Sequence, residues 1–121
     1  MISGGNVTVY ISDMDAAVRF YTDVLGLTLD ARYGDHWATV KVGDSLTIGL
    51  HPRSEHYPEP GTKGAMMLGL EIKQPIADVV ADLKAKGVIF TGEIVDDMQG
   101  KFAHFTDPDG NPIYLWQTTW G

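Results

Sequence analysis

The chain contains no cysteine, which excludes disulfides, thiolate metal ligands and a cysteine nucleophile together. Stability must come from packing. Basic residues are scarce too, and 9 Lys and Arg against 16 Asp and Glu leave a formal charge of −7. That field repels nucleic-acid phosphates and anionic lipid headgroups and favours the approach of cations. Neither nucleic acid nor a membrane is an expected partner, and solubility is the plainer role of the charge. Long apolar runs are absent, which argues against a membrane-spanning helix. The opening MISGGNVTVY lacks the basic start and extended apolar stretch of a secretory signal, so a cytoplasmic location is expected. No phosphate-binding glycine loop precedes a predicted helix. Ser3, Ser12, Ser45 and Ser54 stand in no glycine-flanked elbow that would activate a nucleophile.

What the chain does contain is ordinary globular material, 44% hydrophobic and 21% charged over 121 residues, which suits one domain. Residues 6–11 alternate, with Val7, Val9 and Ile11 on one face and Asn6, Thr8 and Tyr10 on the other, the pattern of a half-buried strand. Ser12 or Asp13 can then cap a helix. Its apolar positions Met14, Ala17, Val18, Tyr21, Val24 and Leu25 recur at three- and four-residue steps until Gly26 stops it. Strands are expected over residues 27–33, 37–42 and 46–51, separated by the turn pairs Gly34-Asp35 and Gly43-Asp44.

The stretch HPRSEHYPEPGTKG, residues 51–64, is rich in proline, glycine and charge and reads as an exposed loop. Beyond it the pattern starts again. A strand is expected over residues 67–73, and Pro75 opens a helix with Ile76, Val79, Val80 and Leu83 as its apolar stripe, ending at Gly87. Three strands then follow over 88–95, 101–106 and 112–118, the last two joined by Asp107, Pro108, Asp109, Gly110 and Asn111. Asp96 and Asp97 precede Met98, Gln99 and Gly100, a pattern of a solvated hairpin end rather than of paired catalytic carboxylates. The domain, 1–121, is thus expected to comprise module 1 over about 5–51, a linker over 52–64 and module 2 over about 65–119. Each module covers one sheet face with its own helix and leaves the other face open. Such faces pair, within a chain or across a dimer, to enclose a cleft suited to a small ligand.

The run SDMDAAVRFYTDVLGL, residues 12–27, resembles the first-helix signature of the vicinal oxygen chelate superfamily, with Phe20-Tyr21 and Leu25-Gly26 as its FY and LG pairs. KAKGV at 84–88 and FTDPDGNPIYL at 105–115 resemble the same family's second half and closing hairpin. The resemblance covers nearly the whole chain. It implies an α+β fold of two βαβββ modules in a curved mixed sheet around a cleft, the glyoxalase and bleomycin-resistance fold, usually as a homodimer. It leaves the activity open, because members include lyases, dioxygenases, antibiotic-modifying enzymes and proteins that sequester drugs.

Enzymatic members hold a divalent metal with His, Glu or Gln side chains from both modules. Aligned on the signatures above, those positions fall at Asn6, Gly49, Met67 and Tyr114. An amide, a bare Cα, a thioether and a protonated phenol are poor ligands for a hard or borderline cation. No metal cofactor is therefore expected. An alternative set is His51, Glu71 and His104, two imidazoles and a carboxylate acceptable to Fe, Zn, Ni or Mn if they converge. The plainer reading makes them ordinary cleft or rim residues, with His36 and His56 facing solvent. Strand parity gives the inward lining as Asn6, Thr8, Tyr10, Trp37, Thr39, Gly49, Met67, Phe102, His104, Tyr114 and Trp116. Aromatic rings and methionine with a few hydroxyls suit a flat, partly apolar organic ligand, and a cationic one gains from Trp and Tyr faces. Alternatively Trp37 or Trp116 fills the space itself. Phe20, Tyr21 and Phe105 fall on the helix side as core, and Trp120, next to the C-terminus, either packs at a dimer seam or dangles. A metal-free binding protein leads over a glyoxalase-like lyase or dioxygenase with displaced ligands.

Overall fold

The computed structural model describes residues 5–55, 59–62, 66–97 and 100–117. The chain divides into two compact units, Met1–Thr62 and Lys63–Gly121, and the division falls inside the expected linker.

In the first unit the alternation of β1 (Val7–Ile11) buries Val9 and Ile11. Asp13 caps α1 (Met14–Arg19), its side chain accepting the Ala16 N–H at 3.1 Å. The expected single α-helix is interrupted, because residues Phe20–Val24 form a π-helical turn. The Leu25 N–H reaches back to the Phe20 carbonyl at 3.0 Å, and the Leu27 N–H closes on the Tyr21 carbonyl at 3.0 Å around Gly26, whose φ is 76°. The Thr22 hydroxyl donates to the Val18 carbonyl at 2.7 Å, supplying a side-chain bond where the backbone ladder is irregular. Tyr21, four residues after the buried Ala17, lies in this turn and is 0% exposed.

Strands β2 (Thr28–Tyr33), β3 (Trp37–Val42) and β4 (Leu46–Pro52) complete a sheet of order β1-β4-β3-β2. β1 runs parallel to β4, with Thr8 opposite Gly49 and Tyr10 opposite His51, and the other neighbours are antiparallel. Ala38, Val40, Ile48 and Leu50 are buried with the helix residues Met14, Ala17 and Tyr21. Of these, Val40, Ile48, Leu50 and Met14 each contribute about 1.5–3 kcal/mol of burial free energy. Arg32 of β2 donates to Asp15 of α1, and this hydrogen bond, with the attraction of the guanidinium, holds the Asp15 carboxyl below its ordinary value.

The second unit repeats the layout. β5 (Leu68–Glu71), α2 (Ile76–Ala85), β6 (Val95–Asp97), β7 (Gly100–Thr106) and β8 (Pro112–Gln117) give a sheet of order β5-β8-β7-β6, with β5 parallel to β8. Pro75 precedes α2 without a side-chain cap, and the Ile76 N–H donates instead to Gln117 Oε1 at 2.8 Å. Gly87, with φ 94°, ends the helix, as the Gly87 N–H bonds the Lys84 carbonyl and the Val88 N–H the Leu83 carbonyl, both at 3.0 Å. The buried Asp107 closes the last hairpin. Its Oδ1 accepts the backbone N–H groups of Asp109 (2.9 Å) and Asn111 (2.8 Å), and its Oδ2 accepts the Asn111 amide (2.9 Å).

One expected strand is corrected. Residues 88–95 were read as continuous from their apolar character, yet only Phe90 bridges to Phe105 before pairing begins at Val95. Val88 is buried and Ile89 is 82% exposed, so the apolar run packs at alternate points without a partner strand for its full length. Asp96 and Asp97 are exposed on β6. The strand expected at 67–73 spans only Leu68–Glu71; the one expected at 112–118 is found over Pro112–Gln117, residue 118 lying outside the described residues.

Candidate functional site

Strand register assigns each predicted lining residue to a sheet face. In the first unit Thr8 and Tyr10 of β1, Trp37 and Thr39 of β3, and Gly49 and His51 of β4 alternate with the buried set, so they share the face opposite α1. Asn6 precedes β1 with the same parity and is exposed, its amide oxygen accepting the Thr8 hydroxyl at 3.3 Å. His51 links this face laterally, with ring centroids 5.6 Å from Tyr10 and 6.2 Å from Trp37, both edge-on. Its Nδ1 lies 2.8 Å from the Pro52 carbonyl, a contact that places the proton on Nδ1 in the neutral ring. The Thr39 hydroxyl donates to Asp30 at 3.3 Å.

In the second unit Gly69 and Glu71 share parity on β5, with Met67 just before it, as do Phe102 and His104 on β7 and Tyr114 and Trp116 on β8. Tyr114 stands at the centre. Its ring centroid is 6.1 Å from that of Phe102 and 5.7 Å from that of His104. Met67 is half exposed. Both sheets therefore carry an aromatic-rich open face, and register relates them position by position. Thr8 with Gly49 corresponds to Gly69 with Tyr114, and Tyr10 with His51 to Glu71 with Trp116.

Sequence reasoning missed Gly69 and Gly100 as members of these faces. A Cβ on Gly49 would meet Trp37 Cζ2 at 2.7 Å and one on Gly69 would meet Tyr114 Cε1 at 2.9 Å, whereas one on Gly100 would meet the Gln117 backbone carbonyl at 2.6 Å before Trp116 Nε1 at 3.1 Å. The available signal was a glycine within a strand, which marks a close approach by another group.

The family resemblance implies a divalent metal, and the donors at its four positions are poor ones. Asn6 offers a neutral oxygen already engaged by Thr8, Gly49 lies beneath an indole, Met67 offers a thioether, and Tyr114 rests its phenol on Gly69. This donor set does not fit a hard or borderline divalent cation. Of the alternative set, Glu71 and His104 belong to the second unit and His51 to the first. Glu71 and His104 lie on strands separated by β8, with Trp116 directly beside Glu71 and His104 two residues further along, roughly 12 Å apart from strand spacing. Among the described residues no three His, Cys, Asp or Glu side chains are grouped to hold a metal ion. His36 is exposed, Tyr21 and Phe105 are core and Phe20 is half-buried beside Tyr21, whereas His56 and Trp120 lie outside the described residues.

Two four-stranded sheets of identical order, each backed by one helix, define a duplicated βαβββ protein. The chain belongs to the glyoxalase/bleomycin resistance protein/dioxygenase superfamily, whose family model matches residues 5–115. It is similar to TnmS3, an antibiotic binding protein from Streptomyces sp. CB03234, at 29% identity and a TM-score of 0.79, covering 98% of this chain and 100% of that one. A glyoxalase/bleomycin resistance protein from the same organism is 31% identical, with a TM-score of 0.75 and coverage of 95% and 100%. The uncharacterized protein YetH of Bacillus subtilis (strain 168) is 29% identical over 116 residues, which make up 92% of this chain and 94% of YetH. No helix among the described residues is long and apolar enough to cross a membrane.

Proposed function

We propose that this protein is a metal-free, cytoplasmic, homodimeric small-molecule binding protein that sequesters an aromatic or cationic compound against its open sheet faces, in the manner of a drug-resistance protein. The observation that carries the reading is the replacement of a chelating set by aromatic surface. Where a metal enzyme of this family needs imidazole and carboxylate, this chain has Asn6, Gly49, Met67 and Tyr114, surrounded by Tyr10, Trp37, Phe102 and Trp116. Aromatic faces bind flat ligands by stacking and burial, and they attract cations through their quadrupoles. The net charge of −7 adds long-range attraction for a cation. Similarity to an antibiotic binding protein along almost the whole chain supports the same reading.

The test combines elemental analysis with ligand titration. Purified protein is expected to hold no stoichiometric divalent metal, and tryptophan emission is expected to be quenched in a saturable way by members of a panel of aromatic antibiotics. Stoichiometric iron, zinc, nickel or manganese whose removal abolishes a turnover would overturn the proposal in favour of a lyase or dioxygenase. Light scattering that finds only monomer at micromolar concentration would remove the homodimer.

A further inference from the structure

On both open faces an aromatic ring occupies the volume in which a neighbouring residue's side chain would begin. The six-membered ring of Trp37 crosses Gly49, and a Cβ there would sit 2.7 Å from Cζ2 and 3.0 Å from Cζ3. At Gly69 the nearest atoms are Cζ and Oη of Tyr114, with Cε1 at 2.9 Å. A point close to both ends of the Cζ–Oη bond yet that far from Cε1 lies above the ring plane, so Tyr114 sets one face down on the bare backbone of Gly69. Tyr114 is directly opposite Gly69 across the β5–β8 pair, whereas Trp37 reaches Gly49 diagonally, since Thr39 is the residue opposite. Both rings remain only half-buried, with a side turned away from the sheet.

We infer that Gly49 and Gly69 are specificity-determining positioning residues: each holds the ring laid on it, Trp37 in the first sheet and Tyr114 in the second, down along its own sheet, so that each open face offers a low, flat ring that selects planar fused-ring ligands over bulky ones. The inference rests on the small-molecule binding reading and deepens it. A methyl group at either glycine would overlap the ring, which must then rise off the sheet. A raised ring turns an edge, instead of a face, toward the ligand. Stacking needs broad parallel contact with ring centroids a few ångströms apart, so it is the interaction most sensitive to that tilt. A ring laid on a cross-strand glycine also stabilises a sheet in its own right, and the experiment must separate the two roles.

Two monocations serve as probes, so that charge attraction cancels between them: proflavine, planar and fused, and tetraphenylphosphonium, whose rings are splayed. Binding is measured by calorimetry on the intact protein, Gly49→Ala, Gly69→Ala, Trp37→Leu, Tyr114→Leu and the double variant Gly49→Ala/Trp37→Leu. The intact protein is expected to prefer proflavine by about tenfold or more, and each glycine variant to lose about tenfold in proflavine affinity while tetraphenylphosphonium changes less than about threefold. The double variant is expected to regain thermal stability without regaining proflavine affinity, which a purely structural seat would not do. If a glycine variant fails to fold, Trp37→Leu and Tyr114→Leu must show the same loss of preference. Equal binding of the two probes by the intact protein, or glycine variants that lose stability but keep the preference, would overturn the inference and leave the sequestration reading standing. Binding of neither probe at millimolar concentration would overturn both.

Discussion

In the first half of the molecule α1 takes its cap from Asp13, its own neighbour, whereas in the second half α2 follows an uncapped Pro75 and takes its acceptor from Gln117, 41 residues away. The helix ends differ as well. α2 closes with a regular turn around Gly87, while α1 widens into a π-helical turn, which contains the buried Tyr21, before Gly26 ends it. On the open faces the central position is Gly49 in one sheet, crossed by Trp37 from β3, and Tyr114 itself in the other, laid over Gly69 of β5. A shared strand order therefore fixes what has to be satisfied, namely an orphan helix N–H, a helix stop and a covered sheet centre. It does not fix which residue satisfies it, and that freedom is how one duplicated layout acquires two distinct surfaces.

The comparison can be broken first at the cores. Tyr21→Ala should cost about 3–5 kcal/mol by urea denaturation, because a fully buried aromatic leaves a large cavity; a loss under about 1 kcal/mol would mean that the π-helical turn does not anchor the first half. Asp107→Ala should cost about 2–3 kcal/mol, since its carboxylate satisfies two backbone donors and a side-chain amide. Asp44→Ala, in the exposed β3–β4 turn of the first half, should cost less than about 0.5 kcal/mol. Equal losses would erase the distinction between the two hairpins.

The caps give a finer contrast. Gln117→Ala should cost about 1–2 kcal/mol because it strands a part-buried N–H, and Asp13→Ala about 0.5–1 kcal/mol because water can replace an exposed cap. The smallest effect belongs to the Arg32 pair. The Asp15 carboxyl is held below its ordinary value of 3.8, so its contribution is complete above that pH and is lost as pH falls through the lower, folded-state value. The difference in melting temperature between the protein and Asp15→Asn should accordingly be small at neutral pH, vanish in strong acid and shrink with added salt. A difference that grows on acidification would contradict the pairing.

Much of this was legible in the residues. Alternation at Val7, Val9 and Ile11, the stops at Gly26 and Gly87, and the Asp107–Asn111 turn are local signals, and each predicts its element. The π-helical turn is not legible, because inserting one position into a three- and four-residue pattern leaves a pattern that still reads as an α-helix. The run from Val88 to Val95 misleads for the opposite reason: its apolar residues serve separate contacts, Val88 and Phe90 inward with Ile89 outward. Parity alone was enough to assign Thr8, Tyr10, Trp37, His104 and Tyr114 to open faces. The glycine seats and the Gln117 cap depend on which strands become neighbours, as Gly69 meets Tyr114 only once β5 lies parallel to β8. No local pattern carries that information.

The same Gln117 contact gives the molecule a direction in time. During synthesis from the amino terminus, the first sheet has every strand it needs once Pro52 has emerged, and the residue that caps its helix, Asp13, emerges before the helix does. The second helix, by contrast, waits for a residue at the far end of β8 before its first amide is satisfied. Nascent chains stopped short of that point should hold a protease-resistant first half beside a second half still open to cleavage.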